Sequence, residues 1–216
     1  MGWVHVWEGM PLLLNGFLYT IALALAGVAA STVLGFVVYL LRAAHIPGLN
    51  IVLKVYFEVF RGTPVLVQIL FIYFGAAFVG IYGMPVFVAL LTAITLHQAT
   101  HISEIFRSGF EAVPTGQREA ARSLSLSRFT ITKDVVLPQA MRVAMPPLFG
   151  QYINLLKNTA LASTIGAADV VRQGQGLIDR FGNPFEVYLV IAALYFAISY
   201  PLSLLVTHLE KRTQIS

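Results

Sequence analysis

Four stretches of the chain, 17–41, 62–103, 143–156 and 187–209, contain no Asp, Glu, Lys or Arg. A helix that crosses the hydrocarbon core of a bilayer needs roughly 20 mostly apolar residues, and it must satisfy its backbone polar groups within the segment. The longest stretch has room for two such helices. It is interrupted by Gly80-Ile81-Tyr82-Gly83-Met84-Pro85, where glycine tolerates positive φ and proline cannot continue a helix. Five spans are therefore predicted, at 15–41, 64–78, 85–106, 143–163 and 185–209. Composition agrees: 11% of residues are charged against 57% hydrophobic, whereas soluble domains carry about a quarter charged.

An odd number of spans places the termini on opposite sides. With the N-terminus outside and the C-terminus inside, Arg42, Lys54, Arg61, Arg107, Arg118, Arg122, Arg128, Lys133, Arg142, Lys211 and Arg212 all fall on the inner side, as the positive-inside rule requires. Lys157, Arg172 and Arg180 do not. The formal net charge of +4 follows from this bias, so no nucleic-acid partner is inferred from it. The first apolar run is too long for a signal-peptide core and is read as a retained span. There is no cysteine, hence no disulfide framework, thiolate metal site or thiol nucleophile. No cofactor is expected.

Within the first span, Ala22, Ala26, Ala30 and Gly27, Ser31, Gly35 recur at four-residue spacing. Such series let a neighbouring helix approach closely in lipid, and they are read as intrachain packing rather than a dimer seam. Val52, Val55, Tyr56, Val59 and Phe60 recur at helical spacing opposite Lys54 and Glu58, which predicts an amphipathic helix at the inner interface. A break follows at Arg61-Gly62-Thr63-Pro64, with Thr63 expected to cap the next helix and Pro64 to occupy its first position. The one long hydrophilic stretch, 111–142, is predicted to hold two short helices separated by a turn, the second capped by Ser127. A short surface helix with mixed charge is expected around Asp169, Arg172, Gln173, Asp179 and Arg180.

The hydrophilic stretch reads Glu119-Ala120-Ala121, then Ser125, then Val135-x-Leu137-Pro138. It resembles the cytoplasmic EAA loop of binding-protein-dependent ABC importers, with Ser125 where that family usually has Gly. The resemblance covers most of the chain. It narrows to the polar amino-acid branch through Phe60-Arg61-Gly62-Thr63-Pro64, Glu104-Ile105-Phe106-Arg107-Ser108-Gly109, Val113-Pro114-x-Gly116-Gln117, Leu137-Pro138-Gln139-Ala140 and Lys157-Asn158-Thr159. Ala160 stands where the branch more often has Ser, and 97–103 departs from its usual pattern.

The resemblance implies an all-α polytopic membrane protein of the type I ABC importer fold with five transmembrane helices. Residues 1–216 would form a single transmembrane domain, with 111–142 its coupling loop, in the bacterial inner membrane. It implies a permease subunit of an ATP-driven importer for polar amino acids, not itself an enzyme. Its partners would be two copies of an ATP-binding subunit, a second permease subunit as homo- or heterodimer, and a periplasmic or lipid-anchored solute-binding protein. Gln117, Glu119, Ala120, Ala121, Arg122, Ser125 and Leu126 would couple to the ATPase. The chain has no G-x-x-x-x-G-K-[ST] phosphate loop, so ATP hydrolysis is assigned to the partner. The alternatives are the same machinery for another small solute, such as an opine, and an ATP-independent channel or carrier.

His97, His101 and Glu104 lie at i, i+4 and i+7, on one helical face. An ionisable group inside a span marks a functional candidate. Glu104 is read as attracting an ammonium or guanidinium group, with a structural pair to Arg107 as the competing role. His101 joins it on the pathway, although both histidines also suit packing and hydrogen bonding. Asn158 and Thr159 are read either as reading the α-amino and α-carboxylate groups of the substrate or as interhelical polar packing. No metal site is expected.

Overall fold

The computed structural model describes residues 2–213; residues 1 and 214–216 of the expected single domain lie outside the described residues. The described residues are helical, with no strand. The first helix, α1, runs over Gly2–Ala43 instead of starting near residue 15. Its 42 residues extend about 60 Å, twice the roughly 30 Å of a hydrocarbon core. The added length is held by tertiary packing. Val6 and Leu13 are buried against Val170, Leu177, Val187 and Ile191, so this end of α1 has an apolar partner that local pattern did not reveal.

The amphipathic helix is α2, Leu49–Gly62, and it is followed by α3, Val65–Gly75, which continues into a 3-10 turn, Ala76–Val79. The two helices meet at a bend of 110°, at the break expected from Arg61-Gly62-Thr63-Pro64. Thr63 plays a different part from the one predicted. Its hydroxyl donates to Val59 O at 2.7 Å and accepts from Gln68 Nε2 at 2.8 Å, closing the end of α2. Pro64, in extended conformation, precedes the first turn of α3. A hydroxyl can satisfy the orphan carbonyls behind it as well as the orphan amides ahead, and spacing alone does not choose.

Gly80 and Gly83 adopt φ of 82° and 69°, and Pro85 stands before α4, Val86–Glu111. This helix is the centre of the fold. Ala89, Leu90, Ala93, Ile94, Ala99 and Ile102 are buried on it. Its partner on one side is α1, through the glycine and serine series: Ser31 is fully buried, and a Cβ at Gly35 would stand 2.7 Å from Ile102 Cγ2. The parallel alanine series is not the seam, since Ala22 is exposed and Ala26 and Ala30 are half-buried.

After α5, Thr115–Ser123, the chain turns and makes a single helical turn, α6, Arg128–Thr130. It then passes through a π-helical turn, Ile131–Val136, into α7, Leu137–Asn158. The second loop helix is thus continuous with the helix at the fourth predicted span, which starts before the predicted 143 and ends in a 3-10 turn at Thr159–Ile165. The surface helix is α8, Val170–Phe181. Buried Asp169 caps it, accepting from the backbone N–H of Arg172 at 3.0 Å and of Val171 at 3.3 Å; burial pushes its carboxyl up to about 6 against those hydrogen bonds. The last helix is α9, Pro184–Thr213.

Three of these helices, α1, α4 and α9, are long and apolar enough to cross a membrane, and the bent α2–α3 pair makes a fourth candidate. The exposed surface is apolar where lipid would lie: Phe71, Phe78, Phe196 and Leu204 are all exposed. Without water in a bilayer core, apolar side chains gain nothing by turning inward, and packing falls to small residues and polar contacts.

Candidate pathway cluster and coupling loop

A cluster of charge closes one end of the helical bundle. Glu104 on α4 accepts from Arg42 Nη1, at the end of α1, through Oε2 at 2.7 Å. Its other oxygen is held by Arg107, one turn along α4, and Arg107 also pairs with Glu111. From α2, Arg61 Nη2 approaches Glu104 Oε2 to 4.0 Å and donates to Thr100 O at 2.6 Å. The Phe57 ring lies against both Arg42, at 4.5 Å, and Arg61, at 4.8 Å, so one phenyl ring on α2 orders two guanidinium groups by cation–π attraction.

Arg61 and Glu104 separate two open clefts. One, of about 520 Å³, is lined by Arg42, Lys54, Phe57 and Glu58 with that pair. The other, of about 370 Å³, is lined by Arg61, His101, Glu104, Ser108, Pro147 and Gln151. Of the predicted pathway residues, His101 and Glu104 thus share one cleft. Asn158 and Thr159 do not join them. They sit about two turns beyond Gln151 on α7, where Thr159 is fully buried, its hydroxyl donating to Leu156 O at 2.6 Å and lying 3.5 Å from the Tyr195 hydroxyl. Asn158 is half-buried.

His97 faces Gln68 Oε1 at 3.2 Å and lies 5.2 Å from the His101 ring. Gln98, buried on α4, pairs with Gln151 on α7. Sequence reasoning missed Gln151, Gln98 and the convergence on Arg61. The signal available for Gln151 was a polar amide, with Asn154, within the charge-free stretch 143–156.

The hydrophilic stretch folds as two helical pieces around a tight turn. Pro114 stands before α5, and Ala121 points inward, packed with Val113, Ile131, Val136 and Ala140. Gln117, Glu119, Ala120, Arg122, Ser125 and Leu126 are exposed. Only one of the two motif alanines is therefore on the outer surface. The other pins α5 onto the segment that continues into α7. Ser127 Oγ accepts from Thr130 N–H at 3.1 Å, the predicted cap. Leu124 and Phe129, exposed by 74% each, add an apolar rim that sequence reasoning did not single out.

Ser125 adopts φ of 58°, the left-handed region that costs an L residue roughly 1–2 kcal/mol and that short polar side chains tolerate best. Its N–H donates to Arg122 O at 2.8 Å. A β-branched side chain has no comparable tolerance. Ser125→Val is expected to weaken the turn by about 1 kcal/mol or more, seen as faster limited proteolysis at 123–128, while Ser125→Gly protects as well as the parent. Equal cleavage of all three would show that φ at this position does not limit the loop.

Residues 47–215 match the family described as the binding-protein-dependent transport system inner membrane component. The chain is 35% identical over 215 residues to the glutamine transport system permease protein GlnP of Escherichia coli (strain K12), with 99% of this chain and 98% of that protein covered. It is also 35% identical over 208 residues to the probable glutamine ABC transporter permease protein GlnP of Bacillus subtilis (strain 168), with 95% of each covered. This chain belongs to that transport family.

The fold agrees. The crystal structure of an amino acid ABC transporter with histidines superposes with a TM-score of 0.89 at 34% identity, covering 97% of both chains. A methionine ABC transporter, MetNI, shares the fold at 22% identity and a TM-score of 0.70, covering 93% of this chain and 97% of that one. The protein is a permease subunit of an amino-acid ABC importer in the inner membrane. The family separates labour: the permease is not an enzyme, ATP hydrolysis belongs to an ATP-binding subunit, and a solute-binding protein delivers the cargo.

Proposed function

We propose that this permease imports polar amino acids by alternating access, with the cleft between α2, α4 and α7 as part of the translocation pathway. The observation that carries the proposal is the cleft itself. Arg61, His101, Glu104 and Gln151 line one cavity, on helices whose outward surfaces are apolar. Ionisable groups on membrane helices usually face the bundle interior or an aqueous path. The names of the relatives point to glutamine as the first substrate to test. His101 and Glu104 border the pathway in this reading, and Asn158 and Thr159 meet the substrate further along α7 when the bundle opens.

The topology proposed with it has five crossings, α1, the α2–α3 pair counted through the break as one, α4, α7 and α9, with the N-terminus outside and the C-terminus inside. α7 is the least apolar of the five, since it lines the pathway. The 111–142 loop then lies inside and docks the ATPase through Gln117, Glu119, Ala120, Arg122, Ser125 and Leu126, with Ala121 holding α5 in place. Two permease subunits, identical or different, pair over two ATPase copies. A loaded binding protein, periplasmic or lipid-anchored, docks outside, where α8 offers its charged rim.

Reconstitution of the permease with its ATPase subunit and binding protein in proteoliposomes is expected to give uptake of radiolabelled glutamine that requires ATP. Uptake by the permease alone, or uptake that survives deletion of Glu119 to Leu126, would sink the proposal in favour of a channel or carrier. Glu119→Lys reverses an exposed charge on α5. It is expected to reduce ATPase subunit binding by roughly tenfold or more through like-charge or desolvation cost at the interface, while the permease still inserts. Normal co-purification of the ATPase with this variant would remove Glu119 from the docking surface.

A further inference from the structure

Both oxygens of Glu104 are already paired with guanidinium groups. Oε2 accepts from Arg42 at 2.7 Å, and Oε1 is held by Arg107. Glu111 pairs with Arg107 through Oε2. Three guanidinium groups, those of Arg42, Arg61 and Arg107, therefore face two carboxylates, and the surplus positive charge falls on Arg61, whose Nη2 stands off from Glu104 at 4.0 Å. A guanidinium has five N–H donors. Arg61 uses Nη2 on the Thr100 carbonyl at 2.6 Å, and among the described residues its Nε and Nη1 have no hydrogen-bond partner. The same side chain lines both clefts. The Phe57 ring at 4.8 Å keeps its plane in place.

We infer that Arg61 receives the substrate's carboxylate and that the pathway selects amino acids of zero or negative net charge over cationic ones. The planar guanidinium fork matches a carboxylate with two parallel hydrogen bonds. Gln151, Ser108 and His101 supply hydrogen-bonding groups around it in the smaller cleft. A lysine or arginine substrate would bring a further cation to a cluster already in surplus, whose nearest carboxylate is already shared by two guanidinium groups. At the effective dielectric of a partly solvated interior, one uncompensated charge several ångströms away discriminates by roughly tenfold or more. Glu104 acts in this scheme through Arg42 and Arg107, as a positioning residue that sets how much positive charge reaches the substrate. The inference rests on the importer reading above.

The test uses the permease assembled with its ATPase subunit in nanodiscs, without binding protein, so that the binding protein's own selectivity is removed. Tritiated glutamine, glutamate, arginine and lysine are titrated in turn. The parent complex is expected to bind glutamine or glutamate at least about tenfold more tightly than arginine or lysine. Arg61→Gln should lose about tenfold for both favoured ligands, with Arg61→Lys retaining part of the affinity. Glu104→Gln, which keeps the side chain's shape but releases charge from Arg42 and Arg107, should raise the glutamate-to-glutamine affinity ratio several-fold, a shift that a merely structural role would not produce. Arginine bound as tightly as glutamine, no measurable binding of any of the four, or unchanged affinity in Arg61→Gln overturns the inference. ATP-driven uptake in proteoliposomes separates the two levels. ATP-driven uptake together with nanodisc binding that prefers arginine or lysine refutes the selectivity alone, whereas no ATP-driven uptake of any of the four refutes the importer reading beneath it.

Discussion

Glu104→Ala is expected to cut ATP-driven amino-acid uptake by roughly tenfold to a hundredfold while the permease still inserts and binds its ATPase. The carboxylate accepts from Arg42 and Arg107 and is 4.0 Å from Arg61, so its removal leaves three cations from three helices without their shared acceptor. Two like charges about 6 Å apart repel by about 3 kcal/mol at an effective dielectric of 20. The Glu104 side chain is 28% exposed, and solvent screening lowers this to about 1–2 kcal/mol. Arg42 and Arg61 would then swing apart, and Arg61 would leave the wall common to both clefts. Initial uptake rates in proteoliposomes measure the effect, with ATPase co-purification as the control for assembly. Uptake at the parent level would remove Glu104 from the pathway.

Gly109→Val is expected to destabilise the folded permease by about 3 kcal/mol, near the upper end for overpacking. Gly109 lies where α4 crosses α7, between the charge cluster and the coupling loop. A Cβ there would stand 2.8 Å from the Ala140 carbonyl oxygen and 3.0 Å from Ala144 Cβ. Neither neighbour is a flexible side chain that can turn away, so the helices must separate. Gly109→Ala should show the same defect at smaller size. Gly116→Ala on α5, where a Cβ meets nothing within 4 Å, should be neutral or slightly stabilising because alanine favours a helix over glycine. Thermal unfolding followed by fluorescence size-exclusion chromatography ranks the three. A Gly109→Val midpoint equal to the parent's would mean that the two helices have slack at this crossing.

Several features of the fold were legible because their causes are local. Gly80, Gly83 and Pro85 break the long apolar stretch where the helices turn back. Ser127 caps its helix, and the stripe from Val52 to Phe60 becomes α2 as its spacing requires. The ordered motifs that pointed to a polar amino-acid importer lie within short segments, and the family match over 47–215 agrees with them. The length of α1 was not legible, because residues before 15 carry no span-like run; they are held in the helix by α8 and α9. Thr63 was assigned to the wrong helix end because a hydroxyl at a break can serve either one.

The candidate site divides in the same way. His101 and Glu104 share a face because residues three apart on a helix lie side by side, and the sequence by itself determines that much. It also determines the apolar spans, the exposed hydrophilic loop and the residue types available for a polar pathway. Only the tertiary structure decided that Arg42, 62 positions away, and Arg61 on a third helix would meet Glu104, that Gln151 would join this cleft, and that Asn158 and Thr159 would not. Those partnerships depend on how far each helix slides and rotates against its neighbours. That register is set by close contacts such as Gly35 on Ile102 and Gly109 on Ala140, whose distances no pattern within a single helix contains.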